Sequence, residues 1–293
     1  AVKTGAPVIG LYDSVGARLK EGSDMLASYG ELLLASNNLS GVVPQISVVL
    51  GPCLGTSAMI AVSADVVIMS EKGQMAIATD GIDGTLDAAQ KAGLVHIAAK
   101  DEKEAIAAAR QMVAMLPSNN LSNAAISEFT DITATAAAED VYGVISAAVD
   151  AESFVELQKG YGAAVVTGLA RLGGNTVGVV ASQPGEEEGK IDADACSKAA
   201  RMVRFCDAFA IPVITFVNSV GFDSLKEAVK LSNAYSEATT AKLTVITGNA
   251  YGPLYVAVAG QGANADVVMA WPDAVVSPLA PETAAMILWS DKL

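Results

Sequence analysis

APVIGLYDSVG at residues 6–16 and IPVITFVNSVG at residues 211–221 spell one strand and one turn twice. Two further pairs follow in the same order. GPCLG at 51–55 is answered by GNAYG at 248–252, and ADVVIM at 64–69 by ADVVMA at 265–270. The separations are about 205, 197 and 201 residues, so the matches are in register. Three such matches argue for a duplicated fold, each copy reading strand, loop, helix, strand, glycine turn, helix, strand.

The chain of 293 residues is long enough for two domains, read here as residues 1–150 and 151–293. Apolar residues make up 52% and aromatics 5%, which suits an α/β core built from Ala, Val, Leu and Ile. The net charge of −14 argues against a nucleic-acid partner, because phosphate contacts need clustered Lys and Arg. No apolar run reaches the ~18 residues of a membrane span. Cys53, Cys196 and Cys206 form no CxxC pair, and an odd number excludes a complete disulfide framework, so a reducing cytoplasm is expected. His96 is the only histidine, which rules out a His-rich zinc site; no metal site is expected.

Strands are expected at 7–13, 42–50 and 66–69, the second closed by Gly51-Pro52. Helices are expected at 19–36, with Leu26, Tyr29, Leu32 and Leu33 on one face, at 56–63 with a hydroxyl near the cap, and at 102–116. Residues 121–151 lack a strong period and read as a connection. A hairpin around Gly173-Gly174-Asn175 and a helix at 194–209 lead into the second copy. The alternation of strand and helix implies parallel strands.

Several stretches carry a family resemblance over essentially the whole chain. They are GAPVIGLYDSVGARLKEGSDMLASYGELL, VVPQISVVLGPCLG, FCDAFAIPVITFVNSVGF and VITGNAYGPLYVAVA. The chain resembles the carboxyltransferase subunits of biotin-dependent acyl-CoA carboxylases and the related decarboxylase α subunits. The resemblance implies two tandem crotonase-like domains, a CoA thioester (acyl-CoA) as substrate, and biotin presented by a biotin carboxyl carrier protein or domain. It also implies a homo-oligomer, a dimer or trimer of dimers, with the site shared between copies. A place beside a membrane-bound decarboxylase complex belongs to the same family picture. Relatives begin earlier and end later, so further residues are expected before Ala1 and after Leu293.

Carboxyl transfer at the α-carbon of a thioester passes through an enolate, and biotin's ureido oxygen also gains charge. Backbone N–H groups can hold both charges, each donor being worth about 3–4 kcal/mol. In the first copy the candidates are the peptides at Val15, Gly16, Gly55 and Thr56, the last two where a strand turns into a helix. In the second they are Gly252, Pro253 and Leu254. Pro253 has no N–H, so one donor is expected to be lost there. Where relatives carry glycine, this chain has Val15, Thr56 and Pro253; Lys20, Asn218 and Val220 depart from a family glutamine, aspartate and proline. Arg18, Tyr251 and Val256 are the further substrate-binding candidates.

Each signal has a plainer reading. The glycines serve as turn residues, Arg18 as half of an ion pair, Tyr251 and Tyr255 as packing, Asp65 and Asp266 as turn or cap formers, and His96 as a satisfied core residue. Two other functions compete with carboxyl transfer. One is a non-catalytic paralogue that supports an active subunit, motivated by Pro253 and Thr56. The other is a biotin-independent crotonase-type hydratase or hydrolase, which needs a carboxylate that the sequence does not single out.

Overall fold

The computed structural model describes residues 1–78, 82–132 and 140–290. The chain divides into two compact units, residues 1–125 with 158–161, and residues 126–157 with 162–293.

The first unit runs β1 (Val8–Ser14), α1 (Ser23–Asn37), β2 (Gln45–Leu54), α2 (Thr56–Val62), β3 (Val66–Ser70), β4 (Gln74–Ala76), α3 (Leu86–Lys91), β5 (Ile97–Ala99) and α4 (Glu102–Met115). Its strands form one sheet in the order β1-β2-β3-β5, with β4 on the far end of β2, and every pairing is parallel. β3 (VVIMS) is buried throughout and β2 is buried from Gln45 to Val49, as strands covered on both faces must be.

The second unit begins with α5 (Val141–Ala148), β6 (Val155–Leu157) and the hairpin β7 (Val165–Leu172) and β8 (Asn175–Ser182). It continues with β9 (Lys190–Ile191), α6 (Ala193–Ala208), β10 (Val213–Ser219), β11 (Gly221–Phe222), α7 (Leu225–Glu237), β12 (Lys242–Tyr251), β13 (Val267–Ala270), β14 (Val275–Ser277) and α8 (Pro281–Leu288). The main sheet has the order β13-β12-β10-β8-β7-β6, with β14 on the end of β12; β6 to β8 are antiparallel and the rest parallel. The Gly173-Gly174 turn expected from sequence joins β7 to β8, and Asp150 anchors it by accepting both glycine N–H groups at 2.8 and 2.7 Å.

The repeat is real at the level of hydrogen-bond register. β1 pairs with β2 from Val8–Gln45 to Tyr12–Val49, then skips to Ser14–Cys53. β10 pairs with β12 from Val213–Lys242 to Val217–Ile246, then skips to Ser219–Ala250. The same irregularity thus recurs at the same place in both copies. Asp65 accepts the N–H of Gln45 at 2.8 Å, and Asp266 accepts that of Lys242 at 2.7 Å, so each aspartate pins the first residue of the central strand.

Several expectations are corrected. The second strand does not stop at Gly51-Pro52 but runs to Leu54, because the register skip absorbs those residues. The first helix starts at Ser23 after a separate turn at Leu19–Glu21, since Gly22 takes φ 60°. Its inner stripe is Met25, Tyr29, Leu33 and Ser36, all half-buried, while Leu26 and Leu32 face solvent. The helix at 56 is capped by Gly55, without a side-chain hydroxyl. The connection contains α5, capped by Asp140, which receives the Gly143 N–H at 3.0 Å; its residues 133–139 lie outside the described residues. His96 is a satisfied core residue, its Nδ1 accepting the Val67 N–H at 2.9 Å.

Candidate active site

Both central strands end in a glycine with left-handed φ that starts a helix: Gly55 at 61° and Gly252 at 46°. The N–H of each glycine is already used. Gly55 donates to Ala76 O at 2.8 Å, and Gly252 to Ser277 O at 2.9 Å, which locks the turns onto β4 and β14. These glycines therefore shape the turn, and the donors lie just beyond them.

In the first unit the N–H groups of Thr56 and Ser57 meet no acceptor among the described residues; the next, Ala58, bonds back to Gly55 O at 3.1 Å. In the second unit Pro253 offers none. The Leu254 and Tyr255 N–H groups meet no acceptor among the described residues, and the helical bond back to Gly252 O comes from Val256 at 3.3 Å. The reason is the span of the first bond: Gly55 O is reached from three residues on, Gly252 O from four. A wide π-turn follows at Tyr255–Ala259, with Gly260 N–H bonding to Tyr255 O at 2.8 Å. Each turn keeps two free amides, shifted one residue along in the second copy. Proline at the first helical position is itself favourable, since its φ suits the helix.

An open apolar cleft flanks each turn. One of about 390 Å³ is lined by Ala58, Met59, Val62, Met75 and Ile77; one of about 540 Å³ by Pro253, Tyr255, Val256, Val276 and Pro278. Met59 and Val256 are counterparts in the repeat, 50% and 59% exposed on the cleft floor.

The other candidates fall in different places. Gly16 N–H is held by Ser14 Oγ at 3.3 Å, as Gly221 N–H is by Ser219 Oγ at 3.3 Å. The Val15 N–H meets no acceptor among the described residues, but that of its counterpart Val220 donates to Gly189 O at 3.0 Å. Arg18 is exposed and 3.5 Å from Glu21, an ion pair of little energetic weight. Tyr251 donates its hydroxyl to Asn249 Oδ1 at 2.8 Å, next to Gly252. Sequence reasoning missed two hydroxyls. Tyr29 OH and Ser57 Oγ lie 3.0 Å apart, at the first free-amide turn. The signal for Tyr255 as a donor was absent from the sequence, because its N–H is free only where the first bond back to Gly252 O comes from Val256, one residue later than the corresponding bond in the first unit.

The fold and the twin turns define an α/β protein of doubled architecture, with free backbone amides next to an apolar cleft in each unit. The carboxyl transferase domain family matches residues 1–293, and the chain belongs to that family. It is 36% identical to methylmalonyl-CoA decarboxylase subunit alpha of Veillonella parvula, over 99% of this chain and 64% of that protein. It is 35% identical to the methylmalonyl-CoA carboxyltransferase 12S subunit of Propionibacterium freudenreichii subsp. shermanii, over 100% of this chain and 63% of that protein. The structure overlays on transcarboxylase 12S, crystallised with methylmalonyl-coenzyme A and methylmalonic acid bound, with a TM-score of 0.94 and 34% identity over 99% of this chain and 63% of that one. The expected α/β fold of two tandem crotonase-like domains is borne out by that likeness. The chain spans under two thirds of the length of these relatives. Among the described residues no helix is long and apolar enough to cross a membrane.

Proposed function

We propose that this protein is a carboxyltransferase component that moves a carboxyl group between biotin and the α-carbon of an acyl-CoA. The observation that carries the reading is the pair of free amides at each of two equivalent turns, in a chain of the carboxyl transferase family. Biotin, when presented, would carry the carboxyl group to or from the CoA ester. The Thr56 and Ser57 amides face the thioester oxygen and hold the charge of the enolate. The Leu254 and Tyr255 amides do the same for the ureido oxygen as charge moves onto it. Such donors are fixed before the reaction starts, so no reorganisation is needed when charge develops. The larger cleft supports the second assignment: walls of Pro253, Val256, Val276 and Pro278 suit a bicyclic urea that is mostly hydrocarbon with one polar oxygen.

The partners are a biotin carboxyl carrier protein and further copies of this chain; transcarboxylase 12S forms a hexamer. The unpaired, buried thiols of Cys53, Cys196 and Cys206 fit a reducing cytoplasm. Domain limits at 1–150 and 151–293 place one turn in each half. A non-catalytic role was motivated by the missing Pro253 donor, and the two free amides beyond it weaken that motive.

The test is to incubate the protein with a malonyl-type CoA ester and free biotin and follow decarboxylation. Biotin-dependent loss of the carboxyl group is expected. No turnover with any of a series of CoA esters overturns the reading.

A further inference from the structure

The strand that leads into the second glycine turn is braced by side chains. β12 carries Asn249 and Tyr251 two residues apart, so both stand on one face of the strand. Tyr251 OH lies back along that face and donates to Asn249 Oδ1 at 2.8 Å. The Asn249 N–H donates to Asn218 Oδ1 at 2.9 Å, and the Asn218 N–H to Ser182 Oγ at 2.6 Å. Side-chain bonds thus link β8, β10 and β12 where the ladder between β10 and β12 is interrupted. An irregular register leaves strand groups without their ladder partners, and these contacts take their place. Ser182 and Asn218 are buried, where such bonds are stronger than in water.

The chain of bonds ends one residue before the turn. Gly252 follows Tyr251 directly, takes φ 46° and leads into the free amides of Leu254 and Tyr255. Tyr251 is also paired in register with Ser277, whose carbonyl accepts the Gly252 N–H at 2.9 Å. Backbone bonds hold the turn from β14, and side-chain bonds hold its approach from β10. The first unit cannot build this brace. The repeat places Asp13, Pro52 and Leu54 where the second unit has Asn218, Asn249 and Tyr251. Proline lacks the N–H, and neither proline nor leucine carries a polar side-chain atom.

We propose that Tyr251 is a positioning residue. It acts through Asn249 and Asn218 to hold the end of β12, and with it the Leu254 and Tyr255 amides, without touching substrate itself. A donor stabilises developing charge only if it is aimed before the charge appears, so a turn that wanders loses rate more than affinity. The use of these amides in carboxyl transfer rests on the carboxyltransferase reading, whereas the brace does not.

Tyr251→Phe keeps the ring and removes the hydroxyl. Hydrogen exchange followed by mass spectrometry on the intact protein is expected to show residues 252–260 exchanging about fivefold faster, the worth of one hydrogen bond, with residues 55–62 unchanged. Asn249→Leu reproduces that change, and the double variant adds nothing to it. Asn249→Asp keeps a side-chain oxygen for the hydroxyl and restores the parent rate. In biotin-dependent decarboxylation of a malonyl-type CoA ester, Tyr251→Phe is expected to lower kcat about five- to tenfold and to leave KM for the ester within about twofold. Asn249→Asp recovers most of the parent kcat. A rise in KM as large as the fall in kcat assigns Tyr251 to substrate contact and overturns the proposal. Exchange that rises equally at both turns, an unchanged kcat, or no recovery in Asn249→Asp also overturns it. Brace-dependent exchange without any carboxyl transfer by the parent protein sustains the brace and removes the carboxyltransferase reading, so the two failures are told apart.

Discussion

Asn218 Oδ1 accepts the backbone N–H of Asn249 at 2.9 Å, over a glycine. A Cβ at Gly248 would sit 2.3 Å from that same oxygen. In the first copy Asp13 lies over Gly51 in the same way, 2.0 Å from a hypothetical Cβ, but the residue beyond is Pro52 and offers no N–H. Asn218 is buried, and its own N–H is tied to Ser182 Oγ at 2.6 Å, whereas Asp13 is exposed. Gly248→Ala should therefore cost about 1–3 kcal/mol in a denaturant titration, through a displaced side chain and a lost bond. Gly51→Ala should cost clearly less, because Asp13 can swing into solvent. Equal costs would show that the bond to Asn249 does not hold the side chain.

The turn amides make opposite predictions for the two copies. Pro253→Ala adds an N–H where the donors already lie one and two residues further on, so biotin-dependent turnover should stay within about twofold of the parent. Thr56→Pro imposes on the first turn the residue that the second tolerates, and deletes a donor. It should lower kcat/KM for the CoA ester by about 10²–10³-fold. A large gain from Pro253→Ala would mean that the shifted amides do not serve.

Asp65 and Asp266 each clamp a strand entry, so Asp65→Ala and Asp266→Ala should each cost about 1–3 kcal/mol by leaving a strand N–H without its partner. Thermal unfolding measures this. Turnover per folded molecule should be unchanged, which separates these repeated aspartates from the site.

Lys198 is buried on α6, and burial pulls its ammonium down to about 8, against the opposing pull of Glu156 and Asp192. The unfolded chain then binds the proton more tightly than the folded one between pH 8 and the ordinary lysine value of 10.5. The penalty is full below pH 8 and is relieved as pH rises through that window, so Lys198 contributes stability that increases with pH there. Lys198→Met should remove that upward slope relative to the parent. Unfolding curves at pH 7.5, 9 and 10 decide it, and parallel pH profiles for the two proteins would refute the assignment.

Most of the site's framework that was legible in the sequence repeats. APVIGLYDSVG and IPVITFVNSVG located β1 and β10, and the glycine motifs located both turns, because strand alternation and positive-φ glycines are local requirements. Boundaries were misplaced where a long-range pairing overrode a local signal. Gly51-Pro52 looks like a strand end and instead lies inside a register skip against β1. Likewise, Leu26 and Leu32 fall on an apolar helical stripe, yet both are more than half exposed.

The sequence by itself determined that two related α/β units follow one another and that a glycine turn closes each central strand, since periodicity and φ preference are written residue by residue. Only the tertiary structure decided which amides stay free. That depends on a strand arriving from elsewhere, β4 or β14, to consume the glycine N–H, and on whether the first bond back to that glycine's carbonyl spans three residues or four. A backbone donor has no letter of its own in the sequence, and its availability is set by the partner that does or does not reach it.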